Sequence, residues 1–243
     1  MDRSRRFFKA ASVHYQDLIR TRDSVEWMKS IVEPRMGEKV LDMGNGGVRE
    51  FFSDRTSLYV GFDFSVEMLR KGRGADVLKV CGKVEQPAFR EGSFDTLFFR
   101  SLLHHLAQKK MEATVRRVKE VLLKGGSCLK REGSVIIVEP CLPAFLEKLE
   151  RIVFPFLRFF FFLTGQSVVF LFSEETLTRT MRESGYREIK VWRTRRQEGR
   201  GREWVAPMIG LPFFKIPRWL NPAWKIVLVA EKGRGESDRE KIS

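Results

Sequence analysis

Residues 40–52, VLDMGNGGVREFF, join a short apolar run and one acidic residue to three glycines within four positions. The apolar run predicts a buried strand, and we expect the glycine turn that ends it to lead into a helix. Glycine has no Cβ and tolerates positive φ angles, so such a turn lets the backbone approach a ligand closely. The segment therefore predicts an α/β fold that holds a nucleotide-like small molecule at the end of its first strand.

The glycine spacing and two acidic residues narrow the identity of that ligand. A dinucleotide fingerprint would have glycine where Arg49 stands, and a P-loop would require Gly-Lys-Ser/Thr after the turn. Asp42, directly before the turn, favours a positively charged ligand because its carboxylate would repel a pyrophosphate. Asp63 ends the next predicted strand, where a carboxylate can accept hydrogen bonds from ribose hydroxyls. Together the two acids indicate S-adenosylmethionine, which is charged at its ammonium and its sulfonium.

The rest of the chain alternates short β-rich runs with helical patterns, as expected for a mostly parallel sheet with helices on both faces. Periodic apolar positions from Met111 to Leu122 predict a helix, and we expect Gly125 and Gly126 to end it. A later helix is predicted in EETLTRTMRESGY. Strands are predicted near KVLDMG, SLYVGFD, VLKVC, FDTLFFR and SVIIVEP, and, towards the C-terminus, in REIKVWR and WKIVLVAEK.

Four segments resemble, in order, the motifs of class I S-adenosylmethionine-dependent methyltransferases, in the group of the ubiquinone and menaquinone C-methyltransferases. They are VLDMGNGG, VGFDFSVEML, EGSFDTLFFRSLLHHL and VKEVLLKGGSCLKREGSVIIVEP, within about residues 37–140. The resemblance implies a Rossmann-like sheet of seven strands, mostly parallel, with helices on both faces and an antiparallel last strand. REIKVWR and WKIVLVAEK would form its closing hairpin, and S-adenosylmethionine would be the cofactor.

The resemblance also implies which residues contact the cofactor. Asp42, Gly44 and Gly46 would surround its methionine end. Asp63 would bind the ribose, and Phe64 would lie beside the adenine.

The adenine end departs from the family pattern. Many members carry Gly-Asp-Ala after the third strand, and the Asp accepts a hydrogen bond from the adenine amino group. This chain has Gly82-Lys83-Val84 instead, which leaves the backbone of Lys83 and Val84 to recognise the adenine edge. The predicted cofactor-binding set is completed by Asn45, Met68 and Arg100.

The candidate catalytic residues are His104, His105 and Glu139, close to the ends of two predicted strands. Methyl transfer from an activated sulfonium needs mainly orientation and a dry site, and a base helps only when the acceptor is a hydroxyl or an acidic carbon. Adjacent histidines after a strand can also serve packing or capping, and a carboxylate at a strand end can simply be solvated. No metal ligand set is predicted.

Two aromatic-rich segments bear on the substrate, and the first is RIVFPFLRFFFFLTGQSVVFLF, residues 151–172. As a transmembrane span it is marginal in length and contains Arg158 and Gln166. A single crossing would also separate the last two strands from the sheet that they complete. A lid over an apolar substrate, a membrane-dipping segment and a dimer interface remain as alternatives.

The second segment, WVAPMIGLPFFKIPRWLNPAW at residues 204–224, mixes aromatic rings and prolines with Lys215 and Arg218. Such a mixture suits the headgroup region of an anionic membrane, and it can also stack on nucleic-acid bases. The apolar character of the first segment favours lipid, because RNA offers phenylalanine rings no apolar partner.

Composition indicates the setting. The net charge of +14 favours an anionic partner, either nucleic acid or an acidic membrane surface, although a solvated basic surface gives the same value. The three distant cysteines indicate no disulfide framework, so we expect a cytoplasmic protein. The charge and the aromatic segments suggest that it is peripheral at the inner face of the cell membrane. The scarcity of Asn and Gln, at two and five residues, is typical of proteins from hot environments.

These observations predict one methyltransferase domain over residues 35–232, after an N-terminal helical segment over residues 1–34. The domain would carry a lid or membrane-facing insertion at 141–174 and an aromatic, basic insertion at 197–223, and a disordered tail would follow at 233–243. The predicted function is methyl transfer from S-adenosylmethionine to a hydrophobic small molecule or lipid, such as a quinone or isoprenoid. The alternatives are an RNA (tRNA) methyltransferase and a non-catalytic binding protein on the same scaffold.

Overall fold

The computed structural model of the chain describes residues 22–72, 76–164, 168–193, 204–205, 216–217 and 224–233. Most of the predicted N-terminal segment 1–34, most of the predicted insertion 197–223 and nearly all of the tail 233–243 lie outside the described residues.

The described residues form five α-helices and ten strands. The helices are α1 (Arg22–Val32), α2 (Val66–Lys71), α3 (Met111–Ser127), α4 (Ala144–Thr164) and α5 (Glu174–Glu183). The strands are β1 (Lys39–Met43), β2 (Leu58–Asp63), β3 (Leu78–Cys81), β4 (Phe94–Arg100), β5 (Leu129–Leu142), β6 (Phe172–Ser173), β7 (Tyr186–Arg193), β8 (Trp204–Val205), β9 (Ile216–Pro217) and β10 (Trp224–Lys232). Short 3₁₀ turns lie at Glu33–Arg35 and Leu103–Leu106.

Seven of these strands build the central sheet in the order β3-β2-β1-β4-β5-β10-β7. Strand β10 is antiparallel to both of its neighbours, β5 and β7, while the pairs from β3 to β5 are parallel. The two-residue β6 pairs with the end of β5, and β8 pairs with β9 in a separate ribbon. The predicted Rossmann-like sheet with an antiparallel last strand is therefore confirmed.

Alternation along the strands divides the core between the two faces of the sheet. Leu97 and Phe99 of β4 point into the larger core, which α3 and α5 cover, and Phe98 between them points into the smaller core, which α1 covers. All three side chains are fully buried. Because successive side chains of a strand point to opposite faces, this burial explains why FDTLFFR is nearly continuous in apolar residues.

The predicted helix after the glycine turn is absent: no residue between Met43 and Leu58 is helical. Gly44, Gly46 and Gly47 adopt positive φ angles of 73°, 63° and 78°. A Cβ on Gly47 would lie 2.9 Å from the backbone of Leu69, so the turn packs onto α2 instead of extending into a helix. The extended segment that follows is anchored by the buried ring of Phe51.

The predicted end of α3 at Gly125 and Gly126 is also wrong, since both glycines lie inside the helix. They are required by packing, not by chain termination. A Cβ on Gly125 would lie 2.9 Å from a methyl carbon of Leu97, and one on Gly126 would lie 2.7 Å from the hydroxyl oxygen of Tyr186. That hydroxyl donates to the carbonyl of Leu122 at 2.9 Å, so the helix and β7 meet at this point.

Helix α4 turns its carboxylates towards the protein and its apolar side chains towards solvent. The side that faces the protein carries Glu147, Glu150 and Phe154, all buried. With 100° per residue, a second set of positions spaced alternately by four and three residues falls on the opposite side. This set, which we call the apolar stripe of α4, is more than half exposed and comprises Phe145, Leu149, Ile152, Phe156, Phe159 and Leu163.

The stripe does not make α4 a membrane span. Among the residues that the structure describes, no helix has both the length and the apolarity needed to cross a bilayer.

Gly126→Ala should destabilise the protein, although alanine favours helix, because its Cβ would crowd the Tyr186 hydroxyl. We expect the free energy of unfolding, measured by denaturant titration, to fall by about 1–3 kcal/mol. Tyr186→Phe removes the hydroxyl together with its hydrogen bond to Leu122, at a cost of about 1 kcal/mol. The double variant should lose less than the sum of the two single losses, and strict additivity would contradict the packing role of Gly126.

Candidate active site

The glycine turn and the turn after β4 lie against each other at the carboxyl ends of β1 and β4. A Cβ on Gly44 would lie 2.5 Å from a methyl carbon of Leu102, so only glycine allows this approach. Gly46 faces more open space, since the one atom near its Cβ position is the terminal carbon of Met68 at 3.2 Å. The turn is thus a cradle that larger residues would fill, and it fits a small ligand that approaches the backbone.

Asp63 closes this cradle from the end of β2. Its two carboxylate oxygens accept hydrogen bonds from the backbone N–H of Gly46 at 2.9 Å and of Ser65 at 2.8 Å. Burial raises the pKa of Asp63, against the backbone hydrogen bonds, which lower it. The predicted ribose-binding residue is therefore placed beside the glycine turn. A backbone hydrogen bond from Phe64 also reaches Asp63, and because a carboxylate has about four acceptor positions, capacity remains for a ligand hydroxyl.

Asp42 lies beneath the same turn, in a hydrogen-bonded cluster. One of its oxygens accepts from the hydroxyl of Tyr59 at 2.6 Å and from the side-chain amide of Asn45 at 2.5 Å. Burial raises the pKa of Asp42 to about 7, although both hydrogen bonds act in the opposite direction. The amide oxygen of Asn45 is buried and has no hydrogen-bond partner within the described part of the chain. Polar groups are thus concentrated where the methionine end of the cofactor was predicted.

Sequence reasoning missed Tyr59 as a member of this site. Tyr59 is paired with Val40 in the parallel β1/β2 register, two residues before Asp42, so both side chains point to the same face of the sheet. The sequence alternation could have indicated this, because side chains of alternate residues in a strand, and of the residues paired with them on the neighbouring strand, lie on the same face of the sheet.

Arg100, predicted to contact the cofactor, ends β4 and forms an ion pair with Glu50 from the segment after the glycine turn. Both side chains are about four-fifths buried. Lys225, at the start of β10, belongs to the same neighbourhood: burial lowers its pKa, and the charge of Arg100 lowers it further. Arg49 lies over the rings of Phe52 and Tyr59 at 4.8 Å and 5.0 Å. The segment that replaces the missing helix therefore supplies charged groups beside Asp42.

The residues predicted at the adenine end lie at the ends of β2 and β3. Phe64 and Met68 are partly buried beside the glycine turn, and the carbonyl of Phe64 accepts from the thiol of Cys81 at 3.7 Å. Lys83 is exposed, and its carbonyl accepts from the N–H of Gln86 at 2.9 Å. Its carbonyl is thus engaged in a turn.

Val84 is buried in the larger core. Its side chain therefore contributes to packing beneath the adenine end.

His104 and Glu139, two of the three predicted catalytic residues, form a direct pair. Nδ1 of His104 lies 2.6 Å from Oε2 of Glu139, and both side chains are buried. The other oxygen of Glu139 accepts from the backbone N–H groups of Leu102 and Leu103 at 2.7 Å and 2.6 Å. With Nδ1 held by the carboxylate, Nε2 is the ring nitrogen left for chemistry. We call this arrangement the His104/Glu139 pair.

His105, the third candidate, has its ring centroid 4.1 Å from that of His104. Burial holds the pKa of His105 well below its ordinary value, and the charge of His104 lowers it further. A histidine with a depressed pKa is a weak base, which argues against His105 as the proton acceptor.

The backbone between β4 and the pair is strained. Ser101 has a positive φ of 49°, which is rare outside glycine. Its N–H donates to the carbonyl of Val138 at 2.9 Å, so the conformation is fixed from β5. This turn directs Leu102 towards the glycine cradle and His104 towards Glu139. The turn that carries His104 is therefore in contact with the glycine cradle through Leu102.

Comparisons with known proteins agree with this geometry. A family model described as a methyltransferase domain matches residues 41–129. A Corynebacterium kroppenstedtii protein named demethylmenaquinone methyltransferase is 28% identical over 179 residues, which cover 69% of this chain and 76% of that protein.

Solved structures share the fold. A methyltransferase-like protein of Bacillus halodurans superposes with a TM-score of 0.57 at 15% identity, over 87% of this chain and 100% of that chain. The 1,6-didemethyltoxoflavin-N1-methyltransferase of Burkholderia thailandensis, solved with S-adenosylhomocysteine, gives a TM-score of 0.61 at 16% identity, over 95% of this chain and 87% of that chain. The domain match, the similarity to the Corynebacterium protein, the shared fold and the cradle of glycines and acids lead to one conclusion: the chain is a class I S-adenosylmethionine-dependent methyltransferase.

Proposed function

We propose that the protein transfers a methyl group from S-adenosylmethionine to a hydrophobic, quinone-like or isoprenoid-like acceptor that it takes from a membrane surface. The observation that carries this proposal is the buried His104/Glu139 pair, which lies beside the cofactor cradle and is linked to a helix with an apolar stripe on its outer side. A buried proton acceptor suits an acceptor with an acidic hydroxyl or carbon, and the apolar stripe on the outer side of the linked helix suits an acceptor that is itself apolar.

The roles of the cofactor residues follow from their positions. Asp42 and the backbone of Gly44 and Gly46 would hold the methionine end, and Asp63 would accept from the ribose hydroxyls. Phe64 and Met68 would flank the adenine, where Lys83 and Val84 replace the usual acidic acceptor. Arg100, fixed by Glu50, would set the charge near the methionine carboxylate.

The His104/Glu139 pair would act as the base. When bound, S-adenosylmethionine supplies a methyl group whose carbon–sulfur bond breaks as the acceptor bonds to it, with the electron pair passing to sulfur. His104 takes the acceptor's proton at Nε2, while Nδ1 stays hydrogen-bonded to Glu139. The carboxylate holds the ring orientation and stabilises the imidazolium that forms. Burial excludes water that would compete for the proton.

The apolar stripe of α4 would be the membrane contact. An exposed set of this size is unusual on a protein surface and marks an interaction site. Three of its six members are phenylalanines, whereas coiled-coil seams favour leucine, isoleucine and valine. The net charge of +14 complements an anionic bilayer, so we favour lipid over a second copy of the chain as the partner.

The similarity to the Corynebacterium protein supports a quinone as the acceptor. RNA is the competing acceptor, because the net charge also suits phosphates. The apolar stripe favours lipid, since nucleic acid would leave it uncovered.

Cofactor affinity should depend on pH through Asp42. Because its pKa is about 7, Asp42 is neutral in acid and attracts the cofactor's ammonium only as pH rises. We expect the affinity for S-adenosylmethionine, measured by calorimetry, to increase by up to about tenfold per unit between about pH 5.5 and pH 7. Tyr59→Phe removes a hydrogen bond that lowers this pKa, so the rise should move to higher pH. Tyr186→Phe, which removes a distant buried hydroxyl, should leave the rise in place, and a pH-independent affinity in the unaltered protein would refute the assignment.

His104→Gln should lower kcat on a quinone-type acceptor by on the order of 100-fold, while the affinity for S-adenosylmethionine stays unchanged. His105→Gln is the matched control and should keep most of the activity, since a weakly basic ring contributes little. Transfer of labelled methyl groups to a short-chain demethylmenaquinone in detergent, to total lipid extract and to bulk tRNA measures both claims. Incorporation into tRNA alone would replace the lipid proposal by the RNA alternative.

Ile152→Ser combined with Phe156→Ser should weaken binding to anionic vesicles, because two largely exposed apolar side chains are lost from the stripe. Flotation with vesicles of phosphatidylglycerol and phosphatidylcholine measures the effect, which we expect to be tenfold or more from about 1.5–3 kcal/mol per buried side chain. Leu123→Ser, an exposed apolar position on α3, is the control and should not change binding. The stripe is a dimer interface if the unaltered protein floats with no vesicles and sediments as a dimer, while the double variant sediments as a monomer.

A further inference from the structure

A short connecting segment, residues 170–173, is bonded to both α4 and the His104 turn. On one side the N–H of Phe170 donates to the carbonyl of His104 at 3.0 Å. On the other side the N–H groups of Leu171 and Ser173 donate to the carboxylates of Glu150 at 3.3 Å and Glu147 at 2.5 Å. The segment therefore joins the protein-facing side of α4 to the turn that carries the base.

Aromatic packing follows the same route. The ring of Phe154, on α4, meets that of Phe170 edge-on at 5.3 Å, and Phe170 meets Phe172 at 5.3 Å. All three rings are almost completely buried. Such T-shaped contacts fix relative orientation as well as burying apolar area. Phe154 is therefore the apolar anchor between α4 and the connecting segment.

The segment also borders the other member of the pair. In β6, Phe172 and Ser173 are paired in parallel register with Cys141 and Leu142 of β5. Glu139 lies two residues before Cys141 in the same strand. Both His104 and Glu139 are therefore held next to residues 170–173, one by a hydrogen bond and the other through the sheet.

The buried carboxylate of Glu147 makes this attachment specific, whereas burial raises the pKa of Glu150 to about 8 and one of its oxygens has no hydrogen-bond partner among the described residues. Burying a charged carboxylate is costly unless it is fully hydrogen-bonded. Glu147 meets that condition, since it also accepts from the hydroxyl of Thr176 at 3.0 Å and pairs with Arg151 at 2.5 Å. Burial raises the pKa of Glu147, but these bonds and those from Ser173 outweigh it and leave the pKa lowered. Apolar contacts alone would pack residues 170–173 against α4 without fixing their position. Hydrogen bonds to their backbone N–H groups fix that position.

We propose that Phe154 is a positioning residue for the methyl-transfer reaction: it fixes residues 170–173, and through them the His104 turn, so that the placement of α4 sets the geometry of the His104/Glu139 pair. This inference rests on the proposed role of His104 as the base. It assigns α4 a second role, since the side opposite its apolar stripe supports the reacting centre. Phe154 itself touches neither acceptor nor cofactor.

Phe154→Ala and Val153→Ala are paired for the test, because they truncate a buried and an exposed apolar side chain at adjacent positions of one helix, and Val153 lies outside the apolar stripe. The chain has three histidines, so the imidazole ¹H and ¹⁵N signals of His104 can be resolved by NMR. Phe154→Ala should abolish the slowly exchanging Nδ1 proton signal of His104 and lower kcat by about 10- to 100-fold, with a smaller change in KM. Phe154→Leu should restore most of the proton signal and most of kcat, and Val153→Ala should change neither.

The two proposals fail in different ways. If His104→Gln keeps full activity, His104 is not the base, yet the NMR comparison still reports whether α4 positions its ring. If His104→Gln is inactive while Phe154→Ala keeps the wild-type proton signal and kcat, or if Val153→Ala alters them equally, the positioning role is wrong. Binding of S-adenosylmethionine confirms that each variant is folded. If Phe154→Ala does not bind S-adenosylmethionine, Phe154→Val takes its place. We then expect a weaker Nδ1 proton signal of His104 and a lower kcat, and unchanged values of both would contradict the positioning role.

Discussion

The carboxylate of Glu139 is the constraint on which the site depends. Its two oxygens hold the N–H groups of Leu102 and Leu103 and the ring of His104, so one buried acid fixes the whole turn after β4. That turn supports the glycine cradle, because Leu102 fills the space that a side chain on Gly44 would need. One buried acid of β5 thereby fixes both the turn that lies against the glycine cradle and the ring of His104. The strain at Ser101 is accommodated from the same strand, because its N–H donates to the carbonyl of Val138.

The sequence was sufficient to predict the sheet and the placement of Asp42 and Asp63 near the ends of adjacent strands, because both rest on local patterns. FDTLFFR and WKIVLVAEK form strands with the expected bounds, and Asp42 and Asp63 end adjacent strands. The missing helix after the glycine turn and the continuation of α3 through Gly125 could not be predicted in this way. Both depend on which distant residue, Leu69 or Leu97, occupies the space beside a glycine. Strand periodicity records burial but not the identity of the neighbour.

The partner of helix α4 also could not be predicted from the sequence. The phenylalanines of this helix indicated an interaction, yet the sequence left a lid, a membrane contact and a dimer interface open. The structure shows that the buried side is held by Glu147, Glu150 and Phe154 and that the apolar stripe points outward. The helix is therefore attached through polar bonds and one aromatic anchor, and its larger apolar side is available to a partner. This inverted distribution connects the surface where we expect the acceptor to arrive with the segment that supports the base.

The central claim, methyl transfer to a lipid acceptor, is tested most directly by mass spectrometry of extracts from cells with and without the gene. The account predicts that the cells lacking it accumulate a lipid-soluble species that is lighter by one methyl group, and that restoring the gene removes this species. Restoring a His104→Gln copy should leave the species in place. Unchanged lipids together with the loss of a methylated nucleoside from RNA would contradict the account.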